Sequence, residues 1–136
     1  MRKFFGIIII FLIIFSNKLP ANENLLDSLK KGGKIIFIRH AYAPGNGDPD
    51  NFLLNNCSTQ RNLNQEGIKQ SRKIGIFFLE NNIKIDKVLS SEWCRCKETA
   101  VLAFNNYKTF SALNSFYEIR FADNKDRQIN DLKKFI

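Results

Sequence analysis

The sequence predicts an α/β fold, arranged as a three-layer α/β/α sandwich around a mostly parallel sheet. Three observations carry this. Lys34–Arg39 (KIIFIR) holds four consecutive apolar residues, as a strand covered on both faces would. Helical and strand-like patterns alternate along the chain in the order α, β, loop, α, β, α, β, α. The first strand pattern is followed at once by a long polar stretch rich in Gly, Pro, Asn and Asp, the usual place for a functional loop. With 136 residues, 44% of them apolar, the chain can build one modest domain with a real core.

The amino terminus reads as a targeting segment rather than part of that domain. Met1-Arg2-Lys3 precedes an apolar run from Phe4 to Phe15, and Ser16-Asn17-Lys18 follows. About 12 apolar residues suit a secretory signal peptide, whereas a spanning helix needs about 20. Leu19-Pro20-Ala21 offers a cleavage point, which divides the chain into a signal peptide (1–21) and a domain (22–136) exported to the periplasm or beyond. The rival reading keeps Phe4–Phe15 as an uncleaved anchor.

The formal charge is +8. Taking Arg2, Lys3 and Lys18 from the 21 basic residues leaves 18 against 13 acidic ones, or +5 for the exported domain. The basic residues are scattered among Asn, Ile and Phe, which argues against nucleic-acid binding and remains compatible with anionic substrates.

Further along, Asn24–Lys31 has apolar residues at 25, 26 and 29 and closes on Gly32-Gly33, as a short helix with a glycine stop does. The polar loop extends from His40 to Asn62. Asn64 caps a helix running to about Asn81, with Ile68, Ile74, Gly75 and Phe78 on one face. Ile85–Leu89 predicts a second strand, Glu92–Asn105 a helix, Phe110–Leu113 a third strand, and Arg127–Ile136 a last helix. Phe77, Phe78 and Phe104 read as core, as does Trp93 against the sheet.

In such a sheet, ligands collect at the carboxyl ends of the strands. Arg39-His40 closes the first strand, and Ser90-Ser91 closes the second just before a helix bearing Arg95. A helix start offers unpaired N–H groups and a positive dipole end. Arg39 and Arg95 could grip phosphate oxygens through forked hydrogen bonds, leaving the His40 imidazole to attack phosphorus.

These residues resemble the histidine phosphatase superfamily, the phosphoglycerate mutase-like proteins. Arg39-His40-Ala41 is similar to the family's Arg-His-Gly. Leu63-Asn64-Gln65-Glu66-Gly67 with Gln70 resembles its Leu-Thr-x-x-Gly-x-x-Gln helix entry, and Ser90-Ser91 through Arg95 to Thr99-Ala100 resembles its Ser-Ser-x-x-x-Arg-x-x-x-Thr-Ala block. The resemblance covers about residues 34 to 113. It implies a phosphohistidine intermediate on His40, phosphate binding by Arg39 and Arg95 with Asn46 as a further polar contact, a small phosphorylated substrate, and no cofactor. The family's proton donor is commonly a Glu after the third strand, and Glu118 is the candidate here. A second histidine contacts the phosphate in the family, whereas His40 is the sole histidine of this chain. The sequence stops on the helix that would lead into the strand carrying it, so the fold is expected to be incomplete on its C-terminal side. Besides an active phosphatase, the sequence is therefore compatible with a non-catalytic phosphate-binding remnant or a small membrane-anchored structural protein.

Export also changes what Cys57, Cys94 and Cys96 mean. An oxidising compartment favours a disulfide from Cys57 to Cys94 or Cys96, with buried free thiols as the alternative. A Cys-x-Cys with one distant cysteine lacks the fourth ligand of a zinc site.

Overall fold

The computed structural model describes residues 21–136, and the predicted leader lies outside them. Four helices carry the architecture: α1 (Ala21–Lys30), α2 (Gln65–Glu80), α3 (Cys94–Phe104) and α4 (Lys125–Phe135). Between them run two short strands, β1 (Leu89–Ser90) and β2 (Lys108–Thr109). The strands pair in parallel, Leu89 opposite Lys108 and Ser90 opposite Thr109, and α3 makes the crossover. Helices with a parallel pair place the chain in the α/β class.

Helix α2 starts where the cap residue dictates, because Asn64 accepts a hydrogen bond from the Gly67 amide at 2.9 Å. Its two glycines are there for close approach. A Cβ on Gly67 would lie 2.0 Å from the Tyr42 carbonyl oxygen, and one on Gly75 would lie 2.1 Å from that of Ala103. The missing side chains let α2 lie against both the loop after His40 and the neighbouring α3. Ser71, fully buried, satisfies its hydroxyl on the Gly67 carbonyl. Phe78 packs edge-on against Phe104 with ring centroids 5.3 Å apart, whereas Phe77, expected in the core, is 45% exposed.

Helix α3 ends on Asn105 in the left-handed region (φ 61°), its amide bonded to the Val101 carbonyl. At its start, Gln60 reaches across from the loop and accepts the Cys94 amide at 2.9 Å. This satisfies one of the donors that a helix start leaves open. The same Gln60 donates to the carbonyls of Leu53 and Leu54, so one side chain binds the loop to itself and to the helix.

Three strand predictions are corrected. Of Ile85–Leu89 only Leu89 pairs, within Leu89–Ser90. Phe110–Leu113 is displaced: the paired residues are Lys108–Thr109, and Ser111–Leu113 curls into a 3₁₀ turn. Lys34–Arg39 forms no ladder at all. Residues 33–39 make no backbone-to-backbone hydrogen bond, and Ile35, Ile36, Phe37 and Ile38 are 39–64% exposed. The reason is physical: an apolar run becomes a central strand only with a neighbour to take its N–H and C=O groups. An apolar groove of about 550 Å³ separates this run from Val88–Ser91, with Phe104, Phe110 and Phe135 among its lining. Among the described residues no helix is long and apolar enough to cross a membrane.

Candidate active site

His40 lies at the end of that unpaired run, and its own side of the chain becomes fixed at the next residue. The buried Ala41 amide donates to Thr99 Oγ1 at 3.0 Å, and the Thr99 hydroxyl donates to the Arg95 carbonyl at 2.7 Å. The Tyr42 amide donates to Gln70 Oε1 at 2.8 Å. Two residues from separate helices thus hold the two amides that follow the histidine.

The imidazole is half-buried. Its Nδ1 lies 2.7 Å from the Ala41 carbonyl oxygen. A carbonyl can only accept, so Nδ1 carries the hydrogen and Nε2 presents its lone pair. Burial lowers the His40 pKa below the ordinary histidine value, and the positive charges of Arg95, Arg61 and Arg39 lower it further against the opposing pull of the Ala41 carbonyl. The ring is therefore neutral and nucleophilic at neutral pH.

Of the arginines, Arg95 is the most buried, with its side chain 9% exposed on the first turn of α3. Its Nη1 donates to both carboxylate oxygens of Asp48, at 2.8 and 3.0 Å, and lies 3.3 Å from the Arg61 carbonyl. Arg61 threads back through the loop, donating from Nε to the Gly47 carbonyl at 2.7 Å and from Nη1 to the Ala43 carbonyl. Arg39 is exposed, acting on His40 through its charge.

Sequence reasoning missed Asp48 and Arg61. The available signals were Gly47-Asp48-Pro49, a turn-forming acidic residue in a long loop, and Arg61 within Thr59-Gln60-Arg61-Asn62, just ahead of the α2 cap. Two expected residues make no hydrogen bond to the histidine. Asn46 is exposed, and no backbone-to-backbone hydrogen bond holds it among the described residues. Glu118 pairs instead with Arg120, at 2.9 Å, because the 3₁₀ turn Ile119–Asn124 sets the two side chains together. Arg120 in turn stacks over the Phe52 ring at 4.0 Å and donates to the Asp50 carbonyl.

Trp93 is 3% exposed, a core residue as expected, and its ring lies between Phe52 of the loop and Phe121 of the 3₁₀ turn. Its ring centroid lies 5.9 Å from that of Phe52 and 5.7 Å from that of Phe121, and its indole N–H donates to Asp48. A disulfide joins Cys57 to Cys94, fastening the loop to the residue before Arg95. Cys96 remains free, and burial raises its pKa, which keeps it a thiol at neutral pH. Among the described residues no group of three His, Cys, Asp or Glu side chains is placed to hold a metal ion.

Set together, these groups place a neutral histidine within the field of three arginine charges, an arrangement suited to a dianionic phosphoryl group. The model of the histidine phosphatase superfamily (branch 1) matches residues 35–135. No curated protein and no solved structure matches the chain.

Proposed function

We propose that this chain, which belongs to the histidine phosphatase superfamily (branch 1), hydrolyses a small phosphomonoester through a phosphohistidine on His40. The observation that carries this reading is the state of the histidine: Nδ1–H is held by the Ala41 carbonyl, Nε2 is free, and three arginine charges act on the ring. The Nε2 lone pair forms the N–P bond as the P–O bond to the leaving group breaks, and the leaving oxygen keeps the electron pair. Water then attacks phosphorus, the N–P bond returns its electrons to Nε2, and phosphate departs. Arg39, Arg61 and Arg95 offset the charge on the transferring group, so catalysis rests on positioning and electrostatics.

Because Glu118 is engaged by Arg120, the activity is best sought with an aryl phosphate, whose phenolate leaves without a strong general acid. The test is phosphate release by the exported domain and by its His40→Ala variant. Release that depends on His40 supports the reading, and equal rates would remove His40 as nucleophile.

A second reading is a phosphate-binding protein without turnover. It is favoured by the engagement of Glu118 with Arg120, which leaves the expected proton donor occupied. That reading predicts vanadate binding that depends on Arg39 and Arg95, with no phosphate release.

The same proposal includes export after cleavage near Ala21, supported by a disulfide of the kind that persists in oxidising compartments. It also includes completion of the three-layer sandwich around the paired strands. A mature amino terminus near Asn22 is the expected result for a cleaved leader, and an intact Met1 on membrane-bound protein would favour the anchored alternative.

A further inference from the structure

A carboxylate is an unwelcome neighbour for phosphate, and Asp48 sits directly on the most buried arginine of the site. Its side chain is 2% exposed, and each of its oxygens accepts two hydrogen bonds. Oδ1 takes Arg95 Nη1 at 2.8 Å and the Arg61 amide at 2.9 Å, while Oδ2 takes Arg95 Nη1 at 3.0 Å and the Trp93 indole N–H at 3.0 Å. A carboxylate so enclosed has no free oxygen to turn toward an incoming anion. The loop secures it further: Gly47 takes a positive φ of 67° just before it, Pro49 follows, and the Cys57–Cys94 disulfide closes the same loop onto the start of α3.

All of this converges on one nitrogen of Arg95. Nη1 is consumed by Asp48, and Nε is buried without a hydrogen-bond partner. An unpartnered guanidinium nitrogen in a side chain nine-tenths buried costs free energy, because its N–H has lost water and gained nothing. The cost is understandable if the free part of the guanidinium is reserved for a ligand that supplies acceptor oxygens.

We infer that Asp48 is a positioning residue, which holds Arg95 by Nη1 so that the rest of its guanidinium is oriented for a phosphoryl group on His40. This rests on the phosphate-site reading above and adds to it the residue that sets the site's geometry. Arginine can swing through many rotamers, and a charged, saturated carboxylate removes that freedom before substrate arrives. The opposing interpretation makes Asp48 a plug that competes with phosphate for Arg95.

The two interpretations give opposite results with Asp48→Asn. The amide keeps the shape but loses the charge, and its NH₂ would face a donor. With the full exported domain, orthovanadate binding and aryl phosphate hydrolysis are compared for wild type, Asp48→Asn, Arg95→Lys and the double variant. A positioning role predicts vanadate binding weaker by about tenfold or more in Asp48→Asn, the scale of one charge-assisted hydrogen bond. It also predicts that kcat falls more than KM rises, and that Asp48→Asn adds little once Arg95 is lysine. A purely structural role would instead lower both backgrounds equally. Tighter vanadate binding in Asp48→Asn, or full additivity in the double variant, overturns the inference. Loss of vanadate binding already in the wild type overturns the phosphate-site reading, and this inference with it. Should Asp48→Asn unfold, Trp93→Phe serves as the second variant. It removes one donor to Oδ2 and is expected to weaken vanadate binding severalfold with the fold intact, while unchanged binding would count against the role.

Discussion

The chain on the two sides of His40 is built in opposite ways. After the histidine, Ala41, Tyr42 and Asp48 are each tied to another element by Thr99, Gln70 and Arg95, and a disulfide closes the loop. Before it, residues 33–39 carry an apolar run with no backbone-to-backbone bond, facing a groove. One side has hydrogen bonds of long sequence separation and the other has only hydrophobicity. The difference teaches that the histidine's orientation is set from its C-terminal side, and that an apolar run does not make a strand without a partner edge.

Breaking the tied side should therefore cost far more than altering the other. The largest effect is expected for the disulfide. It spans 37 residues, and chain-entropy reasoning assigns such a loop about 4 kcal/mol. Cys57→Ser is expected to lower the denaturant midpoint accordingly, and an unchanged midpoint would show that the loop is held by its hydrogen bonds alone. Next comes Gly67→Ala, whose methyl would collide with the Tyr42 carbonyl. A shift of the loop away from α2 should cost about 1–3 kcal/mol and reduce turnover as well, read by comparing melting with kcat. Thr99→Val removes the acceptor of the Ala41 amide, with an expected loss of about 1–3 kcal/mol for a buried donor left unpaired. Phe37→Ser is the contrasting control. At 64% exposure it should change stability by less than about 0.5 kcal/mol, and a larger loss would mean that the run is buried in solution.

The response to pH sharpens the same comparison. The folded pKa of His40 is lowered, by burial first and then by the arginines. The neutral ring therefore persists below the ordinary value of about 6.5, and the acid limb of the rate profile should fall below that value. Because the folded value lies under the unfolded one, the stability contributed is present above the unfolded pKa and is lost as pH falls through the folded pKa. Asp48 acts in the same direction. Burial alone would raise its carboxyl, but Arg95, the Arg61 amide and Trp93 together hold it below the usual carboxylate value. Acid unfolding monitored by Trp93 fluorescence reads the combined effect.

How much of this was legible in the sequence follows the range of the interactions. Local signals were legible: the Asn64 cap and the Ser90-Ser91 turn into the helix bearing Arg95. Gln70 and Thr99 were visible as pattern residues, but their work, holding the amides of Tyr42 and Ala41, depends on contacts across 28 and 58 residues. Asp48 and Arg61 were lost among the polar residues of the loop, because composition marks a loop without saying which side chain turns inward. The strand expected at Lys34–Arg39 failed for the converse reason. Its apolar residues satisfy a buried-strand pattern, yet ladder formation depends on an edge that no local pattern reports.

The central claim is that His40 takes the phosphoryl group, and trapping that group tests it most directly. The domain (residues 22–136) is incubated with an aryl phosphate and quenched in alkali, in which phosphohistidine survives, and the modified peptide is sequenced by mass spectrometry. The account predicts a phosphoryl group on His40, absent from His40→Ala and reduced in Arg95→Lys. Phosphate release with no modified histidine, or with equal efficiency in His40→Ala, would contradict it.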